Sequence, residues 1–199
     1  MKRIILSLFI VLLATTVSGQ VCEGLNVLTL RVGDNGVSNP DTGTPTLSLA
    51  YEYELIEDAF DIETLCLGAG AHVGYRYYRR SGQYSAFYFA YSNIMYSLRA
   101  IAHYDILGQL LGMHSDHVDT YAVVSLGVEH SHRDYYDKMT GKIALSQEGE
   151  VKVPSAWSRR LMPGLQVGCR YWFTPNVGAV AEVGFDGFSF FNGGLSVCF

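Results

Sequence analysis

Apolar and polar residues alternate at every second position through most of this chain, and short polar breaks separate the alternating stretches. The last segment, FSFFNGGLSVCF, sets Ser189, Phe191, Gly193, Leu195, Val197 and Phe199 on one face and Phe188, Phe190, Asn192, Gly194, Ser196 and Cys198 on the other. A period of two is that of a β-strand whose faces meet different surroundings. Eight strands are predicted on this basis: 25–32, 47–55, 65–79, one within 87–106, 120–130, 164–173, 177–186 and the terminal 188–199. The breaks carry turn chemistry, as in GDNGVSNPDTGTP after the first strand and Pro175-Asn176 before the seventh. A polar insertion, 131–160, separates the fifth strand from the sixth. Short turns and longer loops between successive strands predict an antiparallel, up-and-down order.

The composition of the two faces predicts which one is outside. One face is apolar and rich in Tyr and Phe near strand ends, as an aromatic girdle requires. The other mixes glycine with Arg31, Glu52, Glu54, His72, Arg76, Arg99, His103, Asp105, Glu129, Arg170 and Glu182. The lumen of an eight-stranded barrel is narrow and filled by side chains. Glycine makes room there for long charged neighbours, whereas a solvated wall gains nothing from it. The fold expected is therefore all-β, an eight-stranded antiparallel up-and-down transmembrane β-barrel, with these charges paired inside it as a plug. A proton or ion path gated by Arg99, Arg170 and Glu182 is the competing reading of the same residues. A soluble, lipocalin-like barrel with an apolar interior is the competing reading of the alternation.

Lys2 and Arg3, the apolar run 4–13 and the small polar residues up to Gln20 read as a secretory signal peptide over 1–19, ahead of a barrel domain at 20–199. Beyond residue 20 no stretch reaches the ~18 consecutive apolar residues of a membrane helix, although 49% of residues are hydrophobic. Without the leader, 12 basic residues face 19 acidic ones, a net charge of -7, and no basic patch suggests nucleic acid. Phe199, ending the chain on the apolar face, reads as an assembly signal for the barrel-assembly machinery and as the seam closure against the first strand. Counting back from it, the turn at 175–176 faces the periplasm and the 131–160 insertion the cell exterior.

The block GLQVGCRYWFTPNVGAVAEVGFDGFSFFNGGLSVCF, with GCRYWFTPN, the Glu182-x-Gly184 pair and its terminal Phe, resembles the C-terminal end of small outer-membrane β-barrel proteins of Bacteroidetes-type bacteria. These are similar in architecture to the OmpA transmembrane domain and OmpX. YSLRAIAHY and DTYAVVSLG resemble that family's middle strands. The resemblance implies an integral outer-membrane location, with lipid and lipopolysaccharide as surroundings, and says little about activity; the role expected is envelope integrity, or adhesion through the exposed loops. The four cysteines depart from the family pattern.

Chemistry-bearing residues are sparse. His130, His132 and Asp134 share one stretch, and His114 and His117 flank Asp116, but neither group offers a third clear ligand, so solvated loops rather than metal sites are expected. Ser131 stands beside Glu129, His130 and His132, yet adjacent strand positions point oppositely and cannot pair as nucleophile and base. No catalytic residue, metal or cofactor is therefore assigned, although a lipid-modifying outer-membrane enzyme remains an alternative. Cys22 and Cys198 flank the seam at one rim and could form a disulfide. Tyr135, Tyr136, Trp157, Arg159 and Arg160 form a candidate loop surface for an extracellular protein or glycan.

Overall fold

The structure is a computed structural model that describes residues 25–37, 41–62, 64–81, 86–106, 109, 117–141 and 156–199. The signal-peptide segment and Cys22 lie outside these residues, as do His114 and Asp116.

The strands are β1 (Asn26–Gly33), β2 (Thr42–Gly43), β3 (Thr46–Ile56), β4 (Leu65–Ser81), β5 (Phe87–Tyr104), β6 (Val118–Asp137), β7 (Ala156–Thr174), β8 (Val177–Phe185) and β9 (Phe191–Cys198). The two-residue β2 is a bridge onto β4, where Thr42 faces Arg79. The other eight form a closed antiparallel ring, each pairing with its neighbour in the chain and β9 returning to β1 through Leu30 opposite Leu195. Closure pairs both edges of every long strand around the ring, except where β7 rises past Leu165, beyond its pairing with β8. Phe199 extends this seam, because its N–H donates to Asn26 and its carbonyl accepts from the Asn26 N–H, at 3.0 and 3.3 Å.

The alternation decides which side chains point inward. Leu98 and Leu30 are 73% and 60% exposed on the outer wall, whereas Arg31 and Arg170 are 0% and 1% exposed inside. Apolar outside and ionic inside is the reverse of a water-soluble barrel. Three small apolar clusters separate the charges within the lumen: Val27, Trp172 and Cys198; Ile101, Tyr121, Val123 and Val180; and Met95, Met162 and Phe188.

Three boundaries differ from the sequence expectation. Both ends of the 131–160 insertion are strand, since β6 continues to Asp137 and β7 begins at Ala156. Cross-strand pairs such as Arg133 with Ala156 sustain the ladder there even though the residues are polar. The terminal strand starts at Phe191, three residues later than expected. Ser189, placed on the outer face by its periodicity, is fully buried, because the segment before β9 turns about the Asp186 carboxylate, which accepts the N–H groups of Phe188 and Ser189 at 2.7 and 2.8 Å. Asp105, assigned to the lumen wall, falls just past the end of β5 and is half-buried.

Candidate functional site

β4, β5, β6 and β7 have 17 to 20 residues, while β1, β8 and β9 have 8 or 9. About 9–11 tilted residues cross a bilayer. The tall strands therefore carry two candidate sites: the lumen network along their inner face, and a sheet that rises beyond the short wall.

In the lumen the structure brings together every charged residue expected there, apart from Asp105. Glu182 of β8 is the hub of one group. Its carboxylate receives Arg31, Arg99 at 2.9 Å, the Tyr121 hydroxyl at 2.9 Å and the Gln166 amide at 3.2 Å. A second group joins Arg170 to Glu52 at 3.2 Å and to Asp119 at 3.0 Å. His103 completes it, with Nδ1 2.7 Å from Asp119 and Nε2 2.9 and 2.8 Å from Glu52 and Glu54. In the third, Arg76 pairs with Glu129 at 2.9 Å, and the Asn93 amide donates to the same carboxylate at 2.6 Å. The Arg76 guanidinium also stands 4.3 Å from the Phe188 ring centroid and donates to its carbonyl. His72 instead packs against Ser97, with Nδ1 3.1 Å from the hydroxyl. Of the three residues named for a gated path, Arg99 and Glu182 pair with each other, whereas Arg170 belongs to the other group.

Asp119, Asn93, Tyr121 and Gln166 are members that charge counting alone passed over. Asp119 keeps the phase of Tyr121 and Val123, one residue before the predicted strand 120–130, and Asn93 keeps that of Ser97 and Arg99 within 87–106, so following the alternation finds both. Glycines make the reach feasible. Gly68 and Gly70 of β4 stand between Glu54 and Glu52 of β3 and the inner residues of β5.

The rising sheet consists of the ends of β4, β5, β6 and β7. Its rings stack in a ladder: Tyr78 on Tyr91 at 4.7 Å, Phe87 on Tyr135 at 4.8 Å, and Tyr88 on Tyr136 at 5.2 Å between centroids. The Arg79 guanidinium lies 5.2 Å from the Tyr88 ring centroid and that of Arg133 5.3 Å from Phe89. The five residues expected to share one loop surface are on strands instead, and the strand period divides them. Tyr136, Trp157 and Arg159 continue the outer wall, while Tyr135 and Arg160 continue the inner one. Trp157 stacks on His132, whose Nε2 is 3.1 Å from Asp134.

Ser131 faces inward and donates to the Asn93 side chain at 2.9 Å, and His130 turns outward against Tyr96. Among the described residues, Cys66, Cys169 and Cys198 are not joined by disulfides. Cys169 is exposed on the outer wall and Cys198 buried in the lumen, while Cys22, its expected partner, lies outside the described residues.

No protein-family model matches the chain, and no curated protein matches it. Among solved structures it is similar to a major outer membrane protein from Thermus thermophilus, with a TM-score of 0.56 and 15% identity over 89% of this chain and 100% of that one. The chain has the fold of a small outer-membrane β-barrel. The barrel also matches Ail, the attachment invasion locus protein of Yersinia pestis (TM-score 0.39, 16% identity, 89% and 96% of the two chains). A further match is the N-terminal β-barrel domain of Pseudomonas aeruginosa OprF (0.40, 14%, 89% and 98%). At these identities the likeness concerns the fold alone.

Proposed function

We propose that this chain is a non-catalytic integral outer-membrane protein, closed to solutes along its axis, that acts in envelope integrity or adhesion by presenting the rising sheet at the cell exterior. The observation that carries the reading is the sidedness of the wall, with leucines exposed outside and ion pairs buried inside. Such a surface is stable only against lipid. Closure follows from filling: the lumen of an eight-stranded ring is occupied by the paired arginines and carboxylates and by Phe188, Met95 and Met162.

The sheet supplies the contact surface. Arg79, Arg80, Arg133, Arg159 and Arg160 stand there with aromatic rings, against Asp134 and Asp137. Arginine and aromatic side chains together favour an anionic protein or glycan, or lipopolysaccharide itself. Paired strands hold these side chains in fixed positions, which lowers the entropy lost on binding.

Cell fractionation with a heat-shift gel tests the location: recovery in the outer membrane as a compact, heat-modifiable band is expected. A deletion strain should change in adhesion or detergent sensitivity and keep its lipid A profile. A changed lipid A profile, restored by the intact chain but not by a single Ser or His variant, would favour a lipid-modifying enzyme.

A further inference from the structure

Among the described residues the lumen buries four arginines, Arg31, Arg76, Arg99 and Arg170, against six carboxylates. Two groups balance themselves: Arg31 and Arg99 with Glu182 and Asp186, and Arg76 with Glu129. The group around His103 does not. Glu52, Glu54 and Asp119 meet there with Arg170 as the one arginine. Even a cationic His103 leaves one negative charge over, in a place where an uncompensated charge is strongly disfavoured.

The geometry shows where a further cation belongs. Glu54 is 1% exposed, and both of its carboxylate oxygens lack an aligned hydrogen bond, as do Glu52 Oε1 and His103 Nε2. These groups nevertheless converge, with Glu52 Oε1 2.9 Å and Glu54 Oε1 2.8 Å from His103 Nε2. On the far side of the ring, Nδ1 is 2.7 Å from Asp119 Oδ1. A proton held on Nδ1 by Asp119 turns the Nε2 lone pair toward the two glutamates, which is how a carboxylate orients a metal-bound histidine. One ligand atom from each of Glu52, Glu54 and His103 lies within 4.8 Å of the others.

We propose that Glu52, Glu54 and His103 bind one divalent transition-metal cation of the zinc type inside the lumen. Asp119 is the positioning residue for the histidine, and Arg170 holds Glu52 and Asp119 in place. A dication with a neutral His103 balances the three carboxylates and Arg170. The imidazole nitrogen among the ligands selects against magnesium and calcium, which prefer all-oxygen shells. The site ties β3 to β5 across β4 and acts as a structural cross-brace.

The test is a cobalt(II) titration of the untagged chain, folded in detergent, stripped with a chelator and checked for its compact form by heat-shift gel. The expected result is one cobalt ion per chain, with visible d–d absorption bands that zinc abolishes. Glu54→Gln should lose the bands, and Asp119→Asn should weaken binding by about 10- to 100-fold. Absence of bands in the unaltered chain at stoichiometric cobalt would overturn the proposal, whether or not any variant folds. Equal cobalt binding by a folded Glu54→Gln chain would also overturn it, by placing the ion elsewhere, for instance at His130 and His132. If Glu54→Gln proves more resistant to heat and neither chain responds to metal, a proton on Glu54 is what balances the group.

Discussion

Arg31 of β1 and Glu182 of β8 form an ion pair although a whole strand, β9, lies between their own strands. The residue facing Arg31 on β9 is Gly194, which itself faces Val180 of β8, so the guanidinium crosses above a backbone that carries no side chain. The pair therefore bridges the barrel on both sides of its terminal strand. Replacing Glu182 by Gln takes from Arg99 its paired carboxylate and leaves Arg31 only Asp186, 4.0 Å away, and removing one partner of a buried pair costs about 3–5 kcal/mol. Equilibrium urea unfolding in lipid vesicles should show a loss of that size; an unchanged midpoint would separate the pair from barrel stability.

The backbone of β1, at the Leu30 carbonyl and Arg31, makes the neighbouring glycines of β9 unequal. A Cβ on Gly194 would lie 2.9 Å from the Arg31 Cα, whereas one on Gly193 would meet only the Val180 carbonyl at 3.8 Å. Gly194→Ala should lower the unfolding midpoint and slow the appearance of the compact gel band, and Gly193→Ala should leave both unchanged.

Asp34 clamps the seam at its other end. Its carboxylate accepts the N–H groups of Phe190 and Phe191 at 2.7 and 2.8 Å, linking the chain after β1 to the turn before β9. Hydrogen bonds to a charged group contribute about 1.5–3 kcal/mol. Asp34→Ala should therefore speed amide exchange at Phe190 and Phe191 while leaving that of mid-strand Leu195 in place.

At the tip of β6, Asp137 accepts the backbone N–H groups of Thr140 at 2.9 Å and Met139 at 2.7 Å, and these hold its carboxyl below the usual range. A depressed folded value contributes stability above the unfolded value, and this is lost as pH falls through the folded one. Chemical-shift titration should place the Asp137 midpoint below that of an ordinary aspartate, with the turn loosening only at that acidic pH. In Asp137→Asn the turn should show no such transition.

The wall was legible in the sequence because a period of two survives in every strand that separates lipid-like from lumen surroundings. Leu47 to Glu54 alternates without a break, and both faces read correctly. The signal fades where the two surroundings become alike. Past Ser131 both faces of β6 are polar or aromatic, so strand and loop share one composition, and only the pairing of Tyr135 with Phe89 and of Tyr136 with Tyr88 shows the sheet. The lumen charges were found by phase, but their partners were not. Whether Arg170 meets Glu182 or Glu52 depends on ring closure and strand stagger, which no local pattern carries. Asp119 escaped notice because it borders a polar connection, although it stands in phase with Tyr121.

The sidedness of the wall is tested most directly by spin labels in lipid vesicles, in a chain whose four cysteines are replaced by serine. Labels at Leu49 of β3 and Leu126 of β6, both exposed on the outer wall, are compared with one at Asp134 on the rising sheet. A lipid-facing outer wall predicts that Leu49 and Leu126 are relaxed by oxygen and shielded from a water-soluble nickel complex, with the reverse at Asp134. Ready access of the nickel complex to both leucine positions would contradict it and make this a barrel that lives in water.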